Sequence, residues 1–283
     1  MIPFDYITEW RAEVPWTMAA QVEQDLILSR AVVSLFAEPE IADLLVFRGG
    51  TALYKLYLRP AVRYSEDIDL VQVSAGPIGS LLDAIRRVLD PWLGPPRRTT
   101  KEGRIVLIYR MSSEGQPPVP MRLKVEVNSH EHFSVFGIEE RTLAVRSRWF
   151  TGTASVKTFQ LDELLGTKLR ALYQRKKGRD LFDLFIASRL AQVHPARVVE
   201  CFARYLEHDG LRVSRAELEM NMHEKLSDGT FLSDVEPLIA PDTVWSFEEA
   251  ASYVQREILP LLPGDSWGSG VESLLGGPHG TAR

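Results

Sequence analysis

Two aspartates separated by one residue stand out, because their spacing would bring two carboxylates together. Asp67 and Asp69 lie in the run EDIDLVQV, where they alternate with apolar Ile68 and Leu70. In a β-strand this alternation puts the apolar pair on one face and both aspartates on the other. Two such charges about 4 Å apart repel by roughly 4 kcal/mol at an effective dielectric constant of about 20. A strand gains nothing from that repulsion, whereas hard cations take carboxylate oxygens as ligands, so we predict a divalent metal site, for Mg²⁺ or Mn²⁺.

A glycine pair comes before these aspartates, between an apolar run and a helical pattern. Gly49-Gly50 follows DLLVF (43–47), and the residues from Thr51 to Leu58 have helical spacing. Glycine lets a backbone approach a ligand closely, and the start of a helix favours an anion. We therefore predict that Gly49, Gly50 and Thr51 bind the phosphates of a nucleotide. Ser65 is a further candidate, although a serine beside a turn more often bonds to its own backbone.

A third carboxylate, Glu126, lies in the predicted strand MRLKVEVN (121–128). The flanking valines would face the core, so Glu126 would point to the opposite face. If this strand lies beside that of Asp67 and Asp69, all three acids share one surface. Carboxylates around two metal ions are typical of phosphoryl and nucleotidyl transfer. The simpler alternative is that Glu126 is a charged residue on an open sheet face.

A basic segment, KLRALYQRKKGRDLFDL, begins at Lys168. Helical spacing puts Lys168 and Arg175 on one flank, from which Lys168 could offset charge on a leaving pyrophosphate. Asp180 is a further catalytic candidate, or else a helix cap. RNA phosphates could contact four of the cations, although a solvated charge run is the commoner meaning of such a segment: Arg175, Lys176, Lys177 and Arg179.

The elements around these residues predict an α/β (α+β) fold. Helices are predicted at 16–37 and 78–92, and strands at 43–47, 66–73, 104–110 and 121–128, before helices at 160–176, 179–191, 196–207 and 245–259. We therefore expect an N-terminal mixed sheet with flanking helices, a helical domain and a flexible tail, at residues 1–150, 151–263 and 264–283.

Composition limits the class of protein. The chain has 283 residues, 45% of them hydrophobic, and a net charge of −5, so any nucleic acid must bind locally rather than coat the surface. Its single cysteine, Cys201, excludes an intramolecular disulfide. We expect no signal peptide and no membrane span, since the sequence has neither a basic start followed by an apolar run nor a long apolar stretch. These features predict a soluble cytoplasmic protein.

The motifs GGTALYKL, YSEDIDL and KLRALYQRKKGRDLFDL together resemble the AbiEii/AbiGii nucleotidyltransferase toxins, which include the MenT-type toxins of mycobacteria. The resemblance covers about residues 45–190, and the first two motifs resemble the wider polymerase-β-like superfamily. It implies a type IV toxin–antitoxin enzyme that transfers a nucleoside monophosphate from a triphosphate to RNA, with the 3′ end of tRNA as the expected acceptor. It also implies a cognate antitoxin.

The resemblance assigns roles to residues that match the family's motifs. Its glycine turn matches Gly49, Gly50 and Thr51, its acidic motif matches Ser65, Asp67 and Asp69, and its helical motif matches Lys168 and Asp180; Glu126 matches a strand glutamate less closely. Two alternatives stay open. The chain could modify a small molecule such as an antibiotic, or it could be a non-catalytic module that binds nucleotide or antitoxin.

Overall fold

The computed structural model describes residues 2–101 and 103–268, which include a seven-stranded mixed sheet. Its strands are β1 (Leu45–Arg48), β2 (Asp67–Gln72), β3 (Arg97–Lys101), β4 (Arg104–Ser112), β5 (Pro120–Asn128), β6 (Ile138–Arg146) and β7 (Thr151–Phe159). They are ordered β3-β4-β5-β2-β1-β7-β6. The predicted mixed α/β fold is confirmed.

Helices that flank the sheet come from the first half of the chain. They are α1 (Phe4–Trp10), α2 (Ala19–Phe36), α3 (Pro39–Leu44), α4 (Gly49–Ala52), which continues as a π-helical turn (Leu53–Tyr57), and α5 (Ile78–Leu93). Apolar side chains from α2 and α5 join one face of β2 and β5 in the main core, where Ile68, Leu70, Val125 and Val127 are almost fully buried. The predicted helices at 16–37 and 78–92 agree closely with α2 and α5.

The register of β2 determines which side chains share its other face. β2 runs antiparallel to β1 and parallel to β5. Asp69 lies opposite Glu126, and Asp67 lies opposite Lys124. Residues paired across neighbouring strands project to the same face. The predicted strands at 66–73 and 121–128 are therefore neighbours, and the three acids share one surface.

The described chain divides into two compact units, and the division differs from the predicted boundary at residue 150. The first unit runs to Leu164 and regains a short segment, Leu238–Thr243; the second comprises Leu165–Pro237 and the residues from Val244 onward. The difference arises because β6 and β7 were not predicted: TGTASVKTF, the sequence of β7, has few large apolar residues. β7 nevertheless pairs with β1, so the sheet extends beyond residue 150.

Helices make up the second unit: α6 (Leu161–Gln174), which begins in the first unit, α7 (Gly178–Leu190), α8 (Pro195–His208), α9 (Arg215–Leu226), α10 (Gly229–Ser233) and α11 (Phe247–Tyr253), which continues as a π-helical turn (Val254–Ile258). The unpredicted α9 begins with a capping box formed by Ser214 and Glu217. Across residues 2–101 and 103–268, no helix is long and apolar enough to cross a membrane. Most of the predicted tail, 264–283, lies outside the described residues.

Candidate active site

Three carboxylates and one ammonium group meet on the face of β2 and β5. Lys124 Nζ lies 2.9 Å from Glu126 Oε2 and 3.6 Å from Asp67 Oδ2. Asp69 lies between these acids because it shares a face with Asp67 and pairs in register with Glu126. The sequence predicted the acids but not Lys124, although its two-residue spacing from Glu126 was a signal that it shares their face.

Lys124 does not fully offset the negative charge of Asp67, Asp69 and Glu126. Burial, together with the charges of Asp67 and Glu126, raises the pKa of Asp69 above its ordinary value. Burial also raises the pKa of Asp67, against the opposing effect of Lys124. Since a raised carboxyl pKa means that the charged form is disfavoured, added positive charge would stabilise this surface.

Gly49 brings the chain into contact with this cluster. Its φ is +79°, a conformation that favours glycine. A Cβ at this position would lie 2.2 Å from Asp69 Oδ2, well inside van der Waals contact. The glycine turn therefore approaches Asp69 as closely as a residue without a side chain allows.

Two predicted nucleotide ligands have other partners in the structure. The buried Thr51 hydroxyl lies 2.5 Å from the backbone oxygen of Asp67, to which it donates a hydrogen bond, and 2.8 Å from Ser65 Oγ. These hydroxyls connect the helix after the glycine turn to the start of β2. Their predicted nucleotide contact stays a prediction, while the observed contacts join Thr51 to the backbone of Asp67 and to Ser65.

The second unit contains a buried cluster of ion pairs around Lys168. Its Nζ lies 2.8 Å from Asp183 Oδ2 and 3.4 Å from Asp180 Oδ1, and both carboxylates are fully buried. Arg175 donates two hydrogen bonds to Asp180, at 2.7 Å and 2.9 Å. Asp183 was not predicted as a site residue, although its position one helical turn after Asp180 could have indicated it.

The remaining cations of the basic segment are also paired. Lys176 contacts Asp228 at 3.2 Å, whereas Lys177 and Arg179 contact Asp234 at 3.0 Å and 3.8 Å. The segment has no acid between Lys168 and Arg179, yet folding brings acids to it from later in the chain. Folding therefore compensates the positive charge of this segment, and RNA binding by Arg175, Lys176, Lys177 and Arg179 stays a prediction.

The carboxylates on the sheet have the right donor chemistry for a metal ion. Within the described part of the chain, no group of three or more His, Cys, Asp or Glu side chains is close enough to form a metal site in the present arrangement. Lys124 instead supplies positive charge between Asp67 and Glu126. Hard oxygen donors on one face, with raised carboxyl pKa values, fit a divalent cation that would replace or displace this ammonium group.

Comparison with known protein families identifies the family of this chain. The family model of the nucleotidyl transferase AbiEii toxin of type IV toxin–antitoxin systems matches residues 30–253. The chain belongs to this family. The match includes the glycine turn, the acids on β2 and β5 and the Lys168 cluster. Membership makes the chain a nucleotidyltransferase toxin, and it implies a nucleoside triphosphate substrate and an antitoxin partner.

Solved structures share the fold of this AbiEii protein. MenT4, a nucleotidyltransferase toxin from Mycobacterium tuberculosis H37Rv, is 16% identical with a TM-score of 0.57, and the match covers 92% of this chain and 89% of that chain. A putative nucleotidyltransferase from Helicobacter pylori is 16% identical with a TM-score of 0.52, covering 90% of this chain and 97% of that chain. No curated protein gives a significant match. At these identities, the structural similarity shows the fold alone.

Proposed function

We propose that this toxin transfers a nucleoside monophosphate from a nucleoside triphosphate to RNA, with the 3′ end of tRNA as the expected acceptor. Asp67, Asp69 and Glu126 would hold Mg²⁺ or Mn²⁺. The observation that carries the proposal is the environment of Asp69. It pairs in register with Glu126, shares a face with Asp67 and lies against Gly49. The proposed metal-binding surface and the proposed phosphate-binding turn therefore meet at one carboxylate.

In the proposed reaction, the oxygen of an acceptor hydroxyl bonds to the α-phosphorus of the triphosphate. The bond from that phosphorus to the oxygen bridging to the β-phosphate breaks, pyrophosphate leaves, and the hydroxyl proton passes to water. Divalent ions, when bound, neutralise charge on the reacting phosphates. Gly49 allows the phosphates to approach Asp69, because no side chain separates them. The family resemblance assigns Lys168 and Asp180 to catalysis, and the buried pairing fixes the position of the Lys168 ammonium group.

Each labelled nucleoside triphosphate, incubated with total RNA and either Mg²⁺ or Mn²⁺, would test this proposal. We expect label to enter RNA with one triphosphate and to be absent with Asp69→Asn. Expression of the wild-type chain in bacteria should slow growth, and Asp69→Asn should relieve the effect. If wild type labels no RNA with any triphosphate, the proposal fails.

A small-molecule acceptor is the second candidate, because the basic segment expected to contact RNA is compensated by acids. Label that enters a small hydroxyl compound such as an antibiotic, but not RNA, would favour it. A non-catalytic module would bind triphosphate without forming either product. The face of the sheet beside the acids bears on this choice.

A further inference from the structure

Positive charge lies on the same sheet face as the catalytic acids, on the side away from the glycine turn. Arg104 and Arg110 of β4 and Arg122 of β5 share this face. Arg104 pairs with Asn128 and Arg110 pairs with Arg122, and both partners lie an even number of residues from Glu126 along β5. All three side chains are exposed. Arg104 lies 3.6 Å from Glu126, and Arg122 lies 3.9 Å from Glu66. Arg110 forms no salt bridge with any residue that the structure describes.

A cavity of about 620 Å³ opens beside two of these arginines, within the first unit. Its walls are the start of α2, the segment Tyr64–Glu66 and the adjoining ends of β4 and β5. Arg110 and Arg122 line it together with Met18, Met111 and Met121. Met111 and Met121 alternate with the two arginines along β4 and β5 and project to the other face of the sheet, so the cavity lies at the ends of these strands, where the two faces meet. Met18 is 60% exposed. This volume is within the range of small-molecule sites.

The position of the cavity relative to the acids suggests what it binds. Glu66, in its wall, directly precedes Asp67. Arg122, Lys124 and Glu126 follow one another along one face of β5, and at about 3.3 Å per residue Arg122 lies roughly 13 Å from Glu126. Gly49 follows β1, on the opposite side of β2. If the triphosphate binds on the Gly49 side of β2, the cavity lies on the other side of β2, where the acceptor would bind.

We propose that this cavity, which we term the acceptor cavity, binds one nucleotide of a single-stranded RNA acceptor, with its base against the methionines and its phosphates against Arg110 and Arg122. This inference rests on the proposed function. Charge complementarity carries it, because in a chain with a net charge of −5 the cavity is lined by two arginines, Arg110 and Arg122, and by one acid, Glu66. The first turn of α2, whose positive dipole end borders the cavity, has no acidic residue. A double helix would be too wide to enter, so a single strand fits best.

Binding of a short labelled oligoribonucleotide, measured by fluorescence anisotropy at several salt concentrations without triphosphate, would test the acceptor cavity. The variants are Arg110→Ala with Arg122→Ala, and Ala20→Trp to fill the cavity. Arg98→Ala is the matched control, since Arg98 is also an exposed arginine but projects to the opposite face of β3. Thermal melting checks that each variant is folded.

We expect the double arginine variant to bind RNA about tenfold more weakly, with a salt slope lower by about 0.7 for each RNA phosphate that the protein no longer neutralises. Ala20→Trp should weaken binding without changing that slope, and Arg98→Ala should bind like wild type. Triphosphate binding, measured separately, should be unchanged in all variants.

Unchanged RNA binding in the double variant, or an equal reduction with Arg98→Ala, would overturn the acceptor cavity. Loss of triphosphate binding instead would assign the cavity to the donor. Because the assay needs no transfer, arginine-dependent RNA binding with no label incorporation would refute the proposed function alone.

Discussion

Gly49 and Asp69 lie so close together that a methyl group on Gly49 would come within 2.2 Å of Asp69 Oδ2. The contact joins the turn after β1 to the second of the two acids of β2, and these two strands are adjacent in the sheet. It makes the position of Asp69 depend on a residue whose own chemistry is inert. Substitution of Gly49 is therefore a way to move the carboxylate that we propose as a metal ligand without removing it.

Gly49→Ala should abolish most transfer activity and lower stability modestly. The positive φ alone costs of order 1 kcal/mol with a side chain, and the added methyl group must displace Asp69. Gly79→Ala is the matched control, because a Cβ there meets no atom within 4 Å and the site is in a helix. Label transfer and urea unfolding measure both effects; near-normal transfer by Gly49→Ala would contradict the assigned role of the contact.

Asp69→Asn should stabilise the metal-free protein at neutral pH while abolishing transfer. The pKa of Asp69 is raised in the fold, so its contribution to stability is most favourable at low pH, where it is protonated, and becomes unfavourable as the pH rises. A neutral amide removes that penalty. Melting temperatures in chelator and in Mg²⁺ check this: Mg²⁺ should raise the value for wild type more than for Asp69→Asn. An equal Mg²⁺ response would argue against metal binding at this carboxylate.

Lys168→Met should destabilise the second unit as well as reduce activity. Its removal leaves Asp180 and Asp183 buried with less positive charge, and breaking a buried ion pair costs about 3–5 kcal/mol. Urea unfolding measures the loss. Lys176→Met, at an exposed lysine, should leave the unfolding free energy nearly unchanged. A loss of activity in Lys168→Met therefore indicates a catalytic role only if the folded fraction is measured alongside it.

Glu23→Gln should make stability less dependent on pH. Burial raises the pKa of Glu23 from its ordinary 4.5 to about 7, and its Oε1 has no hydrogen-bond partner among the described residues. The folded chain therefore binds the proton more tightly than the unfolded chain, and stability should fall as the pH rises from about 4.5 to about 7. Gln retains an oxygen for the Glu114 amide and carries no charge. Melting curves across this range should be flatter for the variant; parallel curves would show that Glu23 does not cause the dependence.

Alternation along single strands was enough to predict which face of each strand carries the acids. Ile68 and Leu70 fix the orientation of β2, and the valines around Glu126 fix that of β5. The sequence alone does not show that β2 and β5 are neighbours, because strand pairing depends on the whole sheet. Nor does the sequence show that the Thr51 hydroxyl donates to the backbone oxygen of Asp67, since the partner of a hydroxyl group depends on which groups the fold brings close to it.

The basic segment illustrates why charge runs are hard to interpret. Asp180 is the acid nearest to Lys176 and Lys177 in the sequence, yet these lysines pair with Asp228 and Asp234, because α10 and the residues around it fold back beside them. Strands β6 and β7 escaped prediction for a different reason. Each has few large apolar residues, so a period of two was too weak to recognise.

The segment Leu238–Thr243 belongs to the first unit, so that unit cannot fold completely until this late part of the chain has been synthesised. The backbone amide of Tyr64 donates to Leu238, and that of Ala240 donates to Val62, so residues just before Asp67 are completed by a segment from much later in the chain. During translation, this approach to the acids stays unpaired until Leu238–Thr243 has left the ribosome. A chain truncated before that segment therefore lacks both of these hydrogen bonds beside the start of β2, and so does every chain that is still being synthesised up to that point.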